Sequence, residues 1–164
     1  MTNDAERLQL VTSINNSFQT NIQHADAKAG ILAVACSGMV TAMLSQGDAV
    51  REALHRVGFL LGGGLAIWAV LLAVSVGQLA RAVRPRTKAP SSGNHFAFAA
   101  VATSSTADIR HVPADVLCAE GAELGVVLAG IADHKYRAVG TALKATTRLA
   151  ALTMACLTLT AMVS

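Results

Sequence analysis

The sequence predicts an all-α, multi-span helical membrane protein, with three transmembrane helices and a small helical cytosolic part. Two observations lead there. The 24 residues from Val57 to Ala80 contain no charged side chain. At ~1.5 Å rise per residue they form a helix of about 36 Å, enough to cross a ~30 Å hydrocarbon core with some tilt. The composition points the same way, at 53% hydrophobic, 14% charged and 4% aromatic, where a soluble domain has roughly 25% charged residues. Val is scattered through Ala- and Leu-rich text rather than set in period-2 runs, so the mixture favours helix over strand. A soluble chain of 164 residues would need a large core to surround a helix apolar on every side.

Taken in order, residues 1–28 read as a cytosolic juxtamembrane helix. Leu8, Val11, Phe18 and Ile22 recur at helical spacing, Leu10 and Ile14 widen the stripe, and Gln19, Gln23 and Asp26 are polar. Asn15, Asn16 and Ser17 lower intrinsic helicity and leave room for a break. Residues 29–46 are uncharged and form the first span, about 27 Å long, with Lys28 snorkelling toward the headgroups. Residues 47–56 make a short external link, and 57–80 the second span. Gly62, Gly63, Gly64, Ala66 and Ala69 give that span a face of small residues for helix packing.

Residues 81–141 form the expected cytosolic sensor segment. Pro85, Pro90, Ser91, Ser92, Gly93 and Asn94 predict a loop. Phe96 to Val101 read as a short strand or a packed loop. A long helix is expected from about Ala114 to Lys144. Residues 142–163 complete a third span only if Lys144 and Arg148 snorkel, since sixteen residues follow Arg148. Lys28, Arg81, Arg84, Arg86, Lys88, Lys144 and Arg148 collect on one side, whereas the 47–56 link balances Arg51 and Arg56 against Asp48 and Glu52. The N-terminus is therefore expected in the cytosol. Asp4, Glu6 and Asp26 in the first 28 residues, with no early apolar core, argue against a cleaved signal peptide.

Catalytic and metal chemistry finds no support. There is no Gly-x-Ser-x-Gly, His-Glu-x-x-His or Cys-x-x-Cys motif, and no phosphate-binding Gly-rich loop. Cys36, Cys118 and Cys156 follow no ligand spacing, and His24, His95, His111 and His134 are spread apart. The net charge of +3 comes without a dense basic stripe carrying interleaved aromatics, so nucleic acid is not indicated. Two clusters remain. Asp26 and Lys28 stand where the first helix becomes uncharged. They face different sides, because i,i+2 positions do. They suit an interfacial lysine with a solvated aspartate, or contacts to a polar ligand. Asp133, Lys135, Tyr136 and Arg137 suit a nucleotide phosphate plus a stacked base, and equally an ordinary juxtamembrane surface.

A resemblance joins these clusters. The run His24-Ala25-Asp26-Ala27-Lys28-Ala29-Gly30 opens the first span. A basic Pro-containing loop, Phe96 and Phe98 follow the second, and His134-Lys135-Tyr136-Arg137 leads into the last. This pattern resembles the small transmembrane effectors of the pyrimidine-cyclase anti-phage (Pycsar) systems, over nearly the whole chain. The resemblance implies a non-enzymatic antiviral effector of the bacterial cell inner membrane. Its ligand would be a cyclic pyrimidine mononucleotide, cyclic UMP or cyclic CMP, made by a partner cyclase. The response would be membrane damage and abortive infection by a homo-oligomer. It makes Asp26, Lys28, Lys135, Tyr136 and Arg137 the candidate nucleotide contacts, with Arg84 and Arg86 as weaker ones. Tyr136 or Phe96 would stack on the base. A non-catalytic membrane structural or assembly partner, and a constitutively open channel subunit, are the rival readings.

Overall fold

A computed structural model describes residues 4–84, 94, 96 and 112–163. Among them the chain is all-α, with three helices: α1 (Asp4–Ser45), α2 (Gly47–Val83) and α3 (Ala114–Val163). Arg86 and most of the expected 96–101 strand lie outside the described residues. The chain divides into two compact units, Met1–Ala25 with Pro85–Lys135, and Asp26–Arg84 with Tyr136–Ser164.

In the first unit α1 and α3 pack along seams with alternating steps of three and four residues. On α1 the seam is Leu8, Val11, Asn15, Phe18, Ile22 and Ala25, each buried or half-buried. On α3 it is Cys118, Gly121, Gly125, Leu128, Ala132 and Lys135. A 3.5-residue repeat of this kind keeps a narrow seam facing its partner. The helix does not break at Asn15–Ser17, because Asn15 does not compete for its own backbone: its Nδ2 donates to the Gly121 carbonyl at 3.0 Å. Gly121 allows the close approach, since a Cβ there would meet Val11 Cγ1 at 2.5 Å. The narrow seam leaves Leu10 and Ile14 outside. Both are exposed, which corrects the wider stripe expected from hydropathy.

The second unit is a three-helix bundle with the same periodicity. On α1 the seam runs Ala29, Leu32, Cys36, Met39, Met43, and on α3 Val139, Ala142, Thr146, Leu149, Thr153, Cys156, Thr160. Cys36 Sγ lies 3.6 Å from Thr146 Oγ1, and Met43 clusters with Cys156, so α1 and α3 run parallel. Helix α2 runs antiparallel to α3. Trp68 Nε1 donates to Thr153 Oγ1 at 2.8 Å, and Thr146 Oγ1 donates to Ser75 Oγ at 3.4 Å. Residues 47–56, the expected link, are helical, and the helical path breaks at Gly58, with φ 27° and ψ −88°. Only glycine adopts that conformation without a Cβ penalty. Of the small-residue run in α2, Gly64 faces α3, its Cβ position 3.6 Å from Cys156 Sγ, while Gly63 faces open space.

Among the described residues, α1 and α2 are the helices long and apolar enough to cross a membrane. This corrects the expected third crossing at 142–163. Lys144 and Arg148 are exposed on α3, and Thr146, Thr153 and Thr160 are turned into the bundle. The arm therefore owes its place to packing against α1 and α2 rather than to a uniformly apolar surface of its own.

Candidate functional site

Lys28 precedes the seam residue Ala29 on α1, and Tyr136 follows the seam residue Lys135 on α3. Each therefore projects from the flank of its helix rather than into the core. Because α1 and α3 run parallel in the second unit, these flanks meet. The Lys28 ammonium stands 5.5 Å from the centre of the Tyr136 ring, within range of a cation–π attraction. Tyr136 remains 37% exposed, so the ring keeps a surface open to an incoming group. Arg137 is exposed beside it.

The other expected residues are placed differently. Asp26 is half-buried and borders a groove of about 900 Å³ between α1 and α2, whose walls include Ala33, Ser37, Leu72 and Val76. The i,i+2 geometry thus sends Asp26 and Lys28 to different sides, as their spacing requires. Lys135 belongs to the first unit and is only 8% exposed, because the seven-residue repeat puts position 135 on the seam. It is not a surface cation of the kind that Lys28 and Arg137 are. Arg84 is exposed just past the last turn of α2, its N–H donating to the Ala80 carbonyl at 3.0 Å. Phe96 is half-buried in the first unit, its ring 3.7 Å from the Cβ position of Gly121. That sets its ring against α3 at the point where Gly121 meets Val11 of the α1 seam.

Sequence reasoning missed two features of the first unit. Gly121 and Gly125 form a small-xxx-small step over which Asn15 lies, its Oδ1 2.9 Å from the Cβ position of Gly125. The Gly-x-x-x-Gly spacing was the available signal. The second is Asn94, buried, whose Nδ2 donates to the Glu120 carbonyl at 2.9 Å and to Glu123 Oε2 at 3.2 Å. Its Oδ1 accepts from the Phe96 N–H at 2.9 Å. Nothing local in the sequence announces that contact.

Residues 10–164 match the family model described as PycTM, the Pycsar effector protein domain. The chain belongs to that Pycsar effector family. No curated protein and no solved structure matches it. The family is one of effectors, not enzymes. Among the described residues no three His, Cys, Asp or Glu side chains gather where they would hold a metal ion. The Pycsar effector's outward surface in the second unit is apolar on α1 and α2. Ile31, Val34, Phe59, Leu60, Ile67 and Val70 are all exposed, Phe59 at 93%. A water-facing surface of that kind is exceptional, and a membrane accounts for it directly.

Proposed function

We propose that this chain is a membrane effector that recognises a cyclic pyrimidine mononucleotide, cyclic UMP or cyclic CMP, made by a partner cyclase. On binding, it impairs the inner membrane and ends the infected cell's support of phage. The observation that carries the reading is the Lys28–Tyr136 contact. It joins two residues singled out independently in the sequence, one at the start of each parallel helix arm.

A 3′,5′-cyclic nucleotide carries one negative charge and one small base. The exposed Tyr136 ring offers the base a stacking face, and Lys28 with Arg137 offers the phosphodiester charge-assisted hydrogen bonds. A pyrimidine would be chosen over a purine by pocket size and a few hydrogen bonds. Asp26 and Arg84 border the same end of the bundle and are secondary contacts in this reading.

The bundle responds if the ligand binds one arrangement of α1 and α3 more tightly than another. No long relay is needed, because Lys28 and Tyr136 lie directly on the helices that must move. In this reading residues 29–46 and 57–80 cross the membrane, with 47–56 outside and the N-terminus in the cytosol. Lys28, Arg81 and Arg84 then lie on the positive side. A single hairpin with one accompanying helix encloses no wide path, so the active form is a homo-oligomer.

The test is release of a trapped dye, and collapse of an imposed potential, in vesicles carrying the full chain. Cyclic UMP or cyclic CMP should trigger both, and cyclic AMP should not. Leakage independent of any nucleotide would instead identify a constitutive channel. Sealed vesicles with all three would leave a structural or assembly partner.

A further inference from the structure

Between Arg56 and Arg81 helix α2 holds no charged residue, and three contacts fix how α3 runs beside it. Arg56 Nη1 donates to the Val163 carbonyl at 2.6 Å, Trp68 Nε1 to Thr153 Oγ1 at 2.8 Å, and Thr146 Oγ1 to Ser75 Oγ at 3.4 Å. Each step up α2 is matched by about one step down α3. On that register Lys144 lies beside Gly77 and Arg148 beside Ala73. They are therefore about 6 Å and about 12 Å inside the level of Arg81, at 1.5 Å per residue.

Both cations are exposed. With Arg137 and Thr141, also exposed, they follow i, i+4, i+7 and i+11 spacing, which is a single face of one helix. At comparable positions α1 and α2 expose Ile31, Val34, Val70 and Val74. Helix α3 also exposes Leu143, Met154 and Met162, and it differs from α1 and α2 in carrying cations at these levels. Lys144 can reach the headgroups by snorkelling, whereas Arg148 starts about twice as deep. A guanidinium there is costly against lipid and is favoured against water or another protein surface.

The geometry points to the Arg137–Lys144–Arg148 face of α3 as the lining of a water-filled, anion-selective path, closed by further copies of this chain with α1 and α2 turned to lipid. The occupant of the cationic face is the same face of a neighbouring copy across water, which relieves like-charge repulsion through solvent and counter-anions. Rings of fixed cations raise the local anion concentration and exclude cations. The inference rests on the membrane-impairing reading above and specifies its route.

The test is current through planar bilayers holding the full chain under a KCl gradient, with cyclic UMP or cyclic CMP added. The expected reversal potential lies toward chloride. Arg148→Glu should move it toward potassium and Lys144→Glu should do so less. Arg148→Gln, which removes charge while keeping a polar side chain, should lower the chloride preference several-fold. Arg148→Cys should become blockable by a charged thiol reagent and Val70→Cys should not, with the unmodified chain as blank. Nucleotide-gated current whose selectivity ignores Arg148→Glu, Arg148→Gln and Lys144→Glu overturns the lining but leaves the effector reading standing. Absence of current with both nucleotides overturns the two together.

Discussion

The ammonium of Lys28 stands 5.5 Å from the centre of the Tyr136 ring, tying the start of the uncharged part of α1 to the matching level of α3. If this is where nucleotide binds, the ring matters more than the phenol. Tyr136→Leu should weaken binding of cyclic UMP or cyclic CMP about tenfold, ~1.4 kcal/mol. Tyr136→Phe should stay within about twofold of the parent, and Lys28→Met should resemble Tyr136→Leu. Equilibrium dialysis against the purified chain decides it, and equal affinities for all variants would remove the site from these residues.

Gly121 is a steric requirement of the first unit. A methyl group there meets Val11 Cγ1 at 2.5 Å, so Gly121→Ala should destabilise by about 1–3 kcal/mol, the range for overpacking. Val11→Ala in the same chain should recover most of the loss. Gly130 is the control, on the same helix with nothing within 4 Å of its Cβ position. Gly130→Ala should raise stability by about 0.5–1 kcal/mol. Thermal melts in detergent followed by helical circular dichroism separate the two signs.

Gly58 poses the opposite problem, with open space but a strained backbone. Its φ of 27° disfavours any Cβ, so Gly58→Ala should cost about 1–3 kcal/mol although no atom blocks the methyl. Gly63→Ala, in open space at a helical position, should be neutral or mildly stabilising. Similar losses at both positions would place the effect in packing rather than conformation.

Trp68 is the single tryptophan of the chain, and its indole N–H is held by Thr153 at 2.8 Å. Its emission therefore reports on the α2–α3 contact. Thr153→Val should shift that emission and cost about 0.5–1.5 kcal/mol, the range for one net hydrogen bond. Addition of the activating nucleotide to the unmodified chain should shift it as well, if α3 moves against α2. Unchanged emission at saturating nucleotide would restrict the movement to α1 and α3.

Legibility in the sequence followed the range of the interaction. Val57–Ala80 is readable because its signal is an unbroken run, and Leu8, Val11, Phe18 and Ile22 because theirs is a repeat. Asn15 was misread because its hydrogen-bond partner, Gly121, is remote, and local propensity knows only local competitors. Leu10 and Ile14 were misassigned because hydropathy gives a residue's preference, while the 3.5-residue seam decides which preferences are met. The same seam hid Lys135: a lysine in a run of polar letters reads as surface, yet its position is interior. Thr146, Thr153 and Thr160 lie in the stretch read as a crossing helix. Their spacing of seven instead marks an inward polar line. Lys28 and Tyr136 were each found from their own short motifs, but their meeting depends on the parallel course of α1 and α3, which no local pattern carries.

That parallel course fixes an order of assembly. Asn15 meets Gly121 and Cys36 meets Thr146 across separations of 106 and 110 residues, and α2 is made in between. A chain emerging from the ribosome holds α1 and α2 long before the 50 residues of α3 have been added. Until then Lys28 has no ring beside it and Ser75 no hydroxyl from α3. The unfinished molecule is a greasy hairpin lacking both half of its proposed receptor and all of its cationic face. In the proposed reading synthesis itself acts as a safety catch, since trigger and charge are gained together with α3.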